Sequence, residues 1–206
     1  MTDNSRRRGR PATGVREAVL AATEEILAES GVARLSTKEI AKRASVAESS
    51  IFYHFNDRLG LLKAVVDTHR PGFRQTLAEI RAGGGSGELR ADLVALLESL
   101  EAFYLRITPI LAAVQSDGEL RGRFSDRGAS EEIGPRRGVT ALAEYLDAER
   151  AAGRVRRDLD SLAIAQLLTG VAFQRAALIR LSGPEGVPPG GVEPIVDALL
   201  PSLVKP

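Results

Sequence analysis

Apolar residues recur along nearly the whole chain at the three- and four-residue spacing of amphipathic helices. The first such stripe joins Val19, Ala22, Ile26 and Leu27, and Gly31 follows it as a residue that commonly ends a helix. No stretch alternates apolar and polar residues in the way that a half-buried strand does. The pattern therefore predicts an all-α protein.

Two short helices are predicted directly after the first one. Ser36, followed three residues later by Glu39, has the spacing of a capping box and opens one of them. Residues 45–47 interrupt the apolar pattern before a further helix from Glu48 to Phe55. Two short helices joined by a three-residue turn indicate a helix-turn-helix, whose second helix lies in the major groove of DNA.

Longer helices are predicted beyond the glycine-rich stretch at residues 83–87, which is typical of a flexible connection. Their predicted ranges are 89–107, a helix that begins at Pro109, 136–152, 160–181 and about 192–203, with a polar loop over 118–135. The predicted domains are a basic flexible arm over residues 1–14, a helix-turn-helix domain over 15–56 and a larger helical domain over 57–206.

Composition excludes several kinds of chemistry. The 206 residues include no cysteine, which excludes disulfides, thiolate metal sites and cysteine nucleophiles. No motif of a serine hydrolase, a phosphate-binding loop or a zinc-dependent hydrolase occurs, and the two histidines, His54 and His69, are well separated. No apolar run reaches the roughly 18 residues of a membrane span. We therefore expect a cytoplasmic protein that is not an enzyme, uses no cofactor, holds no metal and has no membrane partner.

Positive charge is concentrated at the N-terminal end. Residues 1–70 carry 12 Lys and Arg against 9 Asp and Glu, while the remainder carries 16 against 18. Arg6, Arg7, Arg8 and Arg10 lie in the sequence RRRGRP, which resembles an AT-hook core that can lie in a narrow minor groove. This arm either contacts the minor groove of DNA or is a solvated basic tail.

The predicted recognition helix is rich in aromatic residues. Three of the nine aromatic side chains in the chain lie at Phe52, Tyr53 and Phe55. Ile51 and Phe55 are four residues apart and are expected to face the core, which leaves Phe52 and Tyr53 facing outward. An exposed ring among small polar residues suits DNA, because it can pack on thymine methyl groups and sugars. Glu48 either accepts a hydrogen bond from a cytosine amino group or points to solvent at the positive end of its helix.

The segment TKEIAKRASVAESSIFYHFNDRLGLLKAV, residues 37–65, resembles the DNA-binding region of the TetR/AcrR family of transcriptional regulators. The resemblance extends over roughly residues 15–66, and beyond them it is limited to the order, length and apolarity of the helices. It implies base or phosphate contacts along the recognition helix and phosphate contacts at the starts of its neighbours. With Glu48 and the arginines of the arm, the candidate DNA-binding residues are Arg6, Arg7, Arg8, Arg10, Thr37, Lys38, Glu48, Ser49, Ser50, Phe52, Tyr53, His54 and Arg58.

Four positions depart from the family pattern. Phe52 stands where a tyrosine hydroxyl usually binds a phosphate, Ser45 stands where glycine is usual in the turn, and Ala47 replaces a Ser or Thr helix cap. Gly60 falls inside a fourth helix that Asp57 is expected to cap, where glycine should cost about 1 kcal/mol against alanine. Gly60 either loosens this helix or has no role.

The resemblance implies a homodimer formed through the last two helices, and these helices are more apolar than one protomer needs. An intramolecular core is the alternative explanation of that apolarity. The candidate interface residues are Ile164, Leu168, Val171, Ala172, Ile195 and Leu199.

The middle helices are implied to enclose a ligand cavity. The candidate lining residues, for each of which ordinary core is the alternative interpretation, are Leu96, Leu100, Phe103, Tyr104, Ile107, Leu111, Leu142, Tyr145 and Phe173. Aromatic residues are few and no acidic cluster is evident on the apolar faces, so the expected effector is a neutral or weakly acidic apolar molecule.

The expected function is that of a ligand-responsive transcriptional repressor that binds a palindromic DNA operator as a homodimer. Its expected partners are double-stranded DNA, a second copy of itself and a small-molecule effector. An architectural DNA-binding protein without a ligand is the alternative function, and an activator is the alternative within the same class.

Overall fold

The computed structural model describes residues 14–69, 71–84, 87–128 and 136–204. Within these ranges the chain is helical and has no strand, which confirms the predicted all-α fold. The α-helices found there are α1 Val15–Ser30, α2 Thr37–Ala44, α3 Glu48–Phe55, α4 Arg58–His69, α5 Pro71–Glu79, α6 Leu89–Ser116, α7 Gly118–Gly128, α8 Arg136–Ala151, α9 Ser161–Ser182 and α10 Glu193–Leu203. Shorter helical turns occupy Gly31–Arg34, Ile80–Gly84 and Pro184–Gly186.

Two compact units make up the chain, and they divide between Val65 and Val66. This division falls within α4, whereas the domain boundary predicted from the sequence lies between residues 56 and 57. In the first unit α1 packs on α2 and α3, and apolar side chains of all three helices are buried. Ile26 of α1, Ile40 of α2 and Ile51 of α3 lie at the centre of this small core.

The predicted helix starts in the first unit are confirmed. Ser36 Oγ accepts a hydrogen bond from the backbone N–H of Glu39 at 3.2 Å, which satisfies one free donor of α2. Asp57 Oδ1 accepts a hydrogen bond from the N–H of Gly60 at 2.7 Å, which satisfies one free donor of α4. These side chains fix where the two helices begin.

The second unit is built around α6, which packs on α5, α7, α9 and α10, while α8 packs on α9. Its core is aliphatic, with Leu93, Leu96 and Leu97 of α6 and Leu142 and Leu146 of α8 buried. Polar contacts also join α10 to α6. The side chain of Arg90 pairs with Asp197 at 2.6 Å and with Glu193 at 3.0 Å, and the Arg90 hydrogen bond lowers the pKa of Asp197.

Two predicted breaks in the second unit are wrong. α6 runs without interruption for 28 residues with Pro109 inside it, so no new helix starts at Pro109. A proline removes one backbone hydrogen bond, and burial of the apolar face of α6 outweighs that loss. Residues 118–128 of the predicted loop form α7, because Asp117 Oδ1 accepts from the N–H groups of Glu119 and Leu120 and Leu120 is buried.

We expected no segment to be long and apolar enough to span a membrane, and α9 is an exception. By length and composition alone Ser161–Ser182 is apolar enough to cross a membrane, and about a third of that stretch is buried. Its buried face packs on α6 and α8. That face also contains Arg175, which pairs with Glu101 of α6. In this fold α9 is a core helix of the second unit.

Candidate DNA-binding surface and helical body

The recognition helix α3 presents two aromatic rings to solvent. Ile51 and Phe55 are buried and hold the inner face of α3 against the core, as expected from their spacing. On the outer face Phe52 is 47% exposed and Tyr53 is 83% exposed. The Tyr53 ring meets the ring of His54 edge to face at a centroid distance of 5.1 Å. The outer face of α3 therefore displays two aromatic rings, of which Tyr53 is mostly exposed and Phe52 about half exposed.

Polar residues flank these rings on the same short helix. Ser49 is exposed, whereas Ser50 and His54 are half-buried. Lys38, at the start of α2, is exposed as well. Small hydroxyls beside aromatic edges provide both hydrogen-bonding groups and apolar contact, the two components of base recognition in a groove.

Thr37 and Glu48 form a hydrogen bond that neither interpretation of Glu48 anticipated. The Thr37 hydroxyl donates to Glu48 Oε1 at 2.5 Å and so joins the first residue of α2 to the first residue of α3. Glu48 is exposed, so the carboxylate can still accept from a second donor. The bond ties together two residues that were both predicted to contact DNA.

The turn between α2 and α3 adopts the geometry that glycine favours. Ser45 has φ 55° and ψ 41°, a left-handed conformation that is costly for a residue with a β-carbon. The backbone N–H of Val46 donates to the carbonyl of Ala41 at 3.0 Å and closes the turn. Ala47 offers no side-chain cap to α3. Both departures from the family pattern therefore have a structural consequence at this turn.

Gly60 has a specific role in the turn between α3 and α4, and the expectation that alanine would be better there is wrong. Asn56 has φ 64° and ψ −50°, and the N–H of Asp57 donates to the Phe55 carbonyl at 2.8 Å, which forms a γ-turn. A β-carbon at position 60 would lie 2.0 Å from the same Phe55 oxygen. Glycine is the residue that allows this carbonyl to approach α4.

Arg58, predicted to bind a phosphate, also has a partner inside the first unit. One guanidinium nitrogen donates to the carbonyl of Leu35 at 2.8 Å, and the side chain is half-buried. This contact holds the start of α4 to the segment that precedes α2. The arm residues Arg6, Arg7, Arg8 and Arg10 lie outside the described residues, and their predicted contact with DNA stays a prediction.

Comparison with known proteins identifies this arrangement. The family described as bacterial regulatory proteins, tetR family, matches residues 19–65, a stretch that covers most of α1 and all of α2 and α3. Residues 19–65 thus match the DNA-binding domain of the TetR family. This stretch is therefore an N-terminal helix-turn-helix domain of the kind found in that family.

Two curated relatives are similar to part of this chain. The chain is 33% identical over 87 residues to the uncharacterized HTH-type transcriptional regulator YvkB of Bacillus subtilis (strain 168), covering 40% of this chain and 43% of that protein. It is 35% identical over 65 residues to the HTH-type transcriptional repressor BepR of Brucella suis biovar 1 (strain 1330), covering 32% of this chain and 31% of that protein. The chain thus spans less than half the length of these curated relatives.

A likeness of fold extends beyond the N-terminal domain. The match to the structure of SmeT in complex with triclosan covers 93% of this chain and 92% of the SmeT chain, with a TM-score of 0.66 and 18% identity. At this identity the likeness shows the fold alone.

The residues predicted to line an effector cavity lie in and around one packed core. Leu96, Leu100 and Ile107 are buried, as are Tyr104, Leu142 and Tyr145. Phe103 and Leu111 are half-buried and pack against the same core. Phe173 is partly exposed and meets Tyr104 edge to face at 5.4 Å. The structure brings these side chains together, and their contact with an effector stays a prediction.

Two carboxylates that the sequence pattern did not predict to be buried lie in the second unit. Asp92 and Glu149 are both buried, and the hydroxyl of Tyr145 donates to Asp92 Oδ2 at 3.4 Å. Burial, together with the nearby Glu149 and Asp92, raises the pKa of Tyr145. Asp92 lies four residues before Leu96, and Glu149 lies four residues after Tyr145, so helical spacing could have placed both on the apolar face.

The predicted interface residues divide into two groups. Leu168 and Ala172 are buried within the core of their own chain, because this side of α9 packs on α6 and α8, and they offer no surface to a second copy. Ile164, Val171, Ile195 and Leu199 are half-buried. The large exposed apolar residues of α9 are Leu162, Leu167, Phe173 and Leu181. None of these four was among the predicted interface residues.

Proposed function

We propose that the chain is a transcriptional repressor that binds a palindromic operator as a homodimer and is released by a small apolar effector. The observation that carries the proposal is the outward pair Phe52 and Tyr53, held on a helix whose opposite face is buried. Exposing large rings to water is unfavourable unless a partner covers them. The major groove of DNA is the partner that the helix-turn-helix geometry offers.

Specificity supports a dimer. One recognition helix reads too few base pairs to select a site, whereas two helices separated by about 34 Å read a palindrome. A second copy would also cover apolar surface that the chain leaves open on α9. Leu167, on that helix, is 60% exposed.

Release by a small molecule rests on the core of the second unit. The residues predicted to line an effector cavity there are mostly apolar. The structure of SmeT, which has a similar fold, contains triclosan. An effector that binds one conformation of the dimer better than another would shift the population between them. A conformation with the wrong separation of recognition helices would leave the operator.

The name of BepR describes that relative as a repressor, which favours repression over activation for this chain. Binding to an operator that overlaps a promoter is the simplest mechanism for repression. The location of the binding site relative to a promoter tests this part of the proposal.

The test is to sequence genomic DNA fragments retained by the purified protein at about 150 mM salt, where binding to phosphates alone is weakened. Recovery of one or a few palindromes beside promoters supports the proposal. Diffuse A·T-rich recovery without a palindrome overturns it in favour of an architectural protein. Triclosan is then added to the complex with the recovered operator as the first apolar effector, and loss of the complex identifies an effector response.

A further inference from the structure

The carboxylate of Glu48 is held at the N-terminal end of the recognition helix. Glu48 is the first residue of α3 and is exposed, and its Oε1 accepts a hydrogen bond from the hydroxyl of Thr37, the first residue of α2, at 2.5 Å. A carboxylate has about four acceptor sites, so this bond leaves most of its accepting capacity open. The N-terminal residues of a recognition helix are the ones that contact base edges in the major groove. Glu48 therefore lies where an acceptor can meet a base.

The position of this carboxylate is fixed from two helices. Ser36 caps α2 by accepting a hydrogen bond from the N–H of Glu39 at 3.2 Å, and the buried side chain of Ile51 holds the inner face of α3 in the core. A glutamate side chain that is free in solvent samples many rotamers, and ordering it opposes binding. The bond from Thr37 restricts Glu48 before DNA arrives, so less entropy is lost when the contact forms.

The same hydrogen bond bears on the alternative interpretation, in which Glu48 only points to solvent at the positive end of α3. A side chain that serves the start of its own helix accepts from the N–H groups of the first turn. Ala47 gives α3 no side-chain cap, and the hydrogen bond that Glu48 makes runs to Thr37 of α2 instead. A link to the neighbouring helix favours a role at the surface that α2 and α3 share.

A carboxylate only accepts hydrogen bonds, which limits the bases that it can read. In the major groove the donors are the amino groups of cytosine and adenine. Guanine presents N7 and O6 and thymine presents O4, all of them acceptors, so a carboxylate that faces either base is repelled. Adenine places the N7 acceptor beside its amino group, whereas cytosine has no acceptor of its own in that groove. Cytosine is therefore the base that suits Glu48.

We propose that Glu48 determines specificity for a cytosine in each half-site of the operator and that Thr37 is its positioning residue. The inference rests on the proposed function, because it concerns the DNA that the recognition helix contacts. Phosphates repel the negative charge of Glu48, so the residue adds selectivity rather than overall affinity. A wrong base is rejected because it leaves the carboxylate facing an acceptor.

The test is to select duplexes from a random-sequence library with the purified wild type and with Glu48→Gln, and to sequence them. The wild type should require C·G at one position of each half-site, and replacing that pair in one half-site should weaken binding roughly 5- to 150-fold. Glutamine has the same shape but bonds both N6 and N7 of adenine, so Glu48→Gln should select adenine at that position. Glu98→Gln, the same charge change at an exposed position of α6, should select the wild-type sequence.

Variants of Thr37 separate the positioning of Glu48 from a direct contact with DNA. Thr37→Val removes the hydroxyl at nearly constant shape and should reduce the preference for cytosine roughly two- to tenfold, the effect of one hydrogen bond. Thr37→Ser retains the hydroxyl and should retain the preference. A Thr37→Val protein that binds every duplex more weakly by the same factor, with its cytosine preference intact, would overturn the positioning role.

The selected sequences also distinguish this inference from the proposed function. A palindrome that Glu48→Gln leaves unchanged, or one without a required cytosine, overturns the inference and leaves the homodimeric repressor standing. A motif that is not palindromic, but whose cytosine changes with Glu48, overturns the homodimeric repressor alone. Recovery of no motif by the wild type overturns both.

Discussion

The side chain of Arg180 in α9 donates a hydrogen bond from Nε to the backbone carbonyl of Leu105 in α6 at 2.8 Å. Leu105 lies four residues before Pro109, so its carbonyl is the one that loses its helical donor to the proline. A side chain from a neighbouring helix thus replaces a missing backbone N–H. This hydrogen bond from Arg180 is part of the reason why α6 continues through Pro109.

Arg180→Ala should therefore destabilise the protein in a way that depends on Pro109. In the wild-type background the change should lower the free energy of unfolding by about 0.5–1.5 kcal/mol, the net value of one hydrogen bond. In a Pro109→Ala background residue 109 regains an N–H for the Leu105 carbonyl, so the same change should cost much less. Urea unfolding of the four proteins measures this coupling.

Arg106→Ala is the control, because Arg106 is an exposed arginine on α6 next to Leu105, whereas the guanidinium that donates to the Leu105 carbonyl is that of Arg180. Its effect should be small and equal in both backgrounds. An equal cost of Arg180→Ala with and without Pro109 would show that the arginine does not act through the missing donor.

Gly60→Ala should destabilise the first unit, although alanine is normally the better helix former. The new β-carbon would lie 2.0 Å from the Phe55 carbonyl oxygen, so the backbone of the turn must move. A forced shift of this kind costs about 1–3 kcal/mol, which exceeds the roughly 1 kcal/mol that alanine normally gains over glycine in a helix. Thermal unfolding of the variant measures the balance.

Gly122→Ala is the matched comparison for this substitution. Gly122 lies inside α7, and a β-carbon there would meet nothing within 4 Å. We expect this variant to be more stable than the wild type by up to about 1 kcal/mol. If both variants gain stability, the close approach at Phe55 is not the reason for glycine at position 60.

The first unit could be predicted closely because its signals are local. The capping residue Ser36 and the four-residue spacing of Ile51 and Phe55 lie within single helices, and both expectations are confirmed. Gly60 was misinterpreted because its neighbour, the Phe55 carbonyl, is placed by an unusual turn at Asn56. Residue type alone gives no sign of that turn.

The second unit was harder to predict because its signals come from distant parts of the chain. The continuity of α6 at Pro109 depends partly on Arg180, which periodicity within α6 cannot reveal. Helix α9 is apolar on most of its surface, so its pattern did not tell which side faces the core. Leu168 was expected outward and is buried, whereas Leu167 is the exposed neighbour.

Ser45→Gly should stabilise the helix-turn-helix. Ser45 has φ 55°, where a β-carbon is strained and glycine is not. After the greater entropy of glycine in the unfolded chain is taken into account, we expect a gain of about 0.5–1 kcal/mol in the free energy of unfolding. Ser45→Ala retains the β-carbon and should show no gain. Equal stabilities of the glycine and alanine variants would contradict this account of the turn.

Tyr53→Ala should weaken operator binding without lowering stability, because the side chain is 83% exposed and contributes little to the core. Loss of the ring should cost about 1–3 kcal/mol of binding, or roughly 5- to 150-fold in affinity. Tyr53→Phe retains the ring and tests the hydroxyl alone, so its loss should be smaller. Affinity for the recovered operator and thermal unfolding are measured for both variants. An unchanged operator affinity for Tyr53→Ala would mean that the outer face of α3 is not the surface that meets DNA.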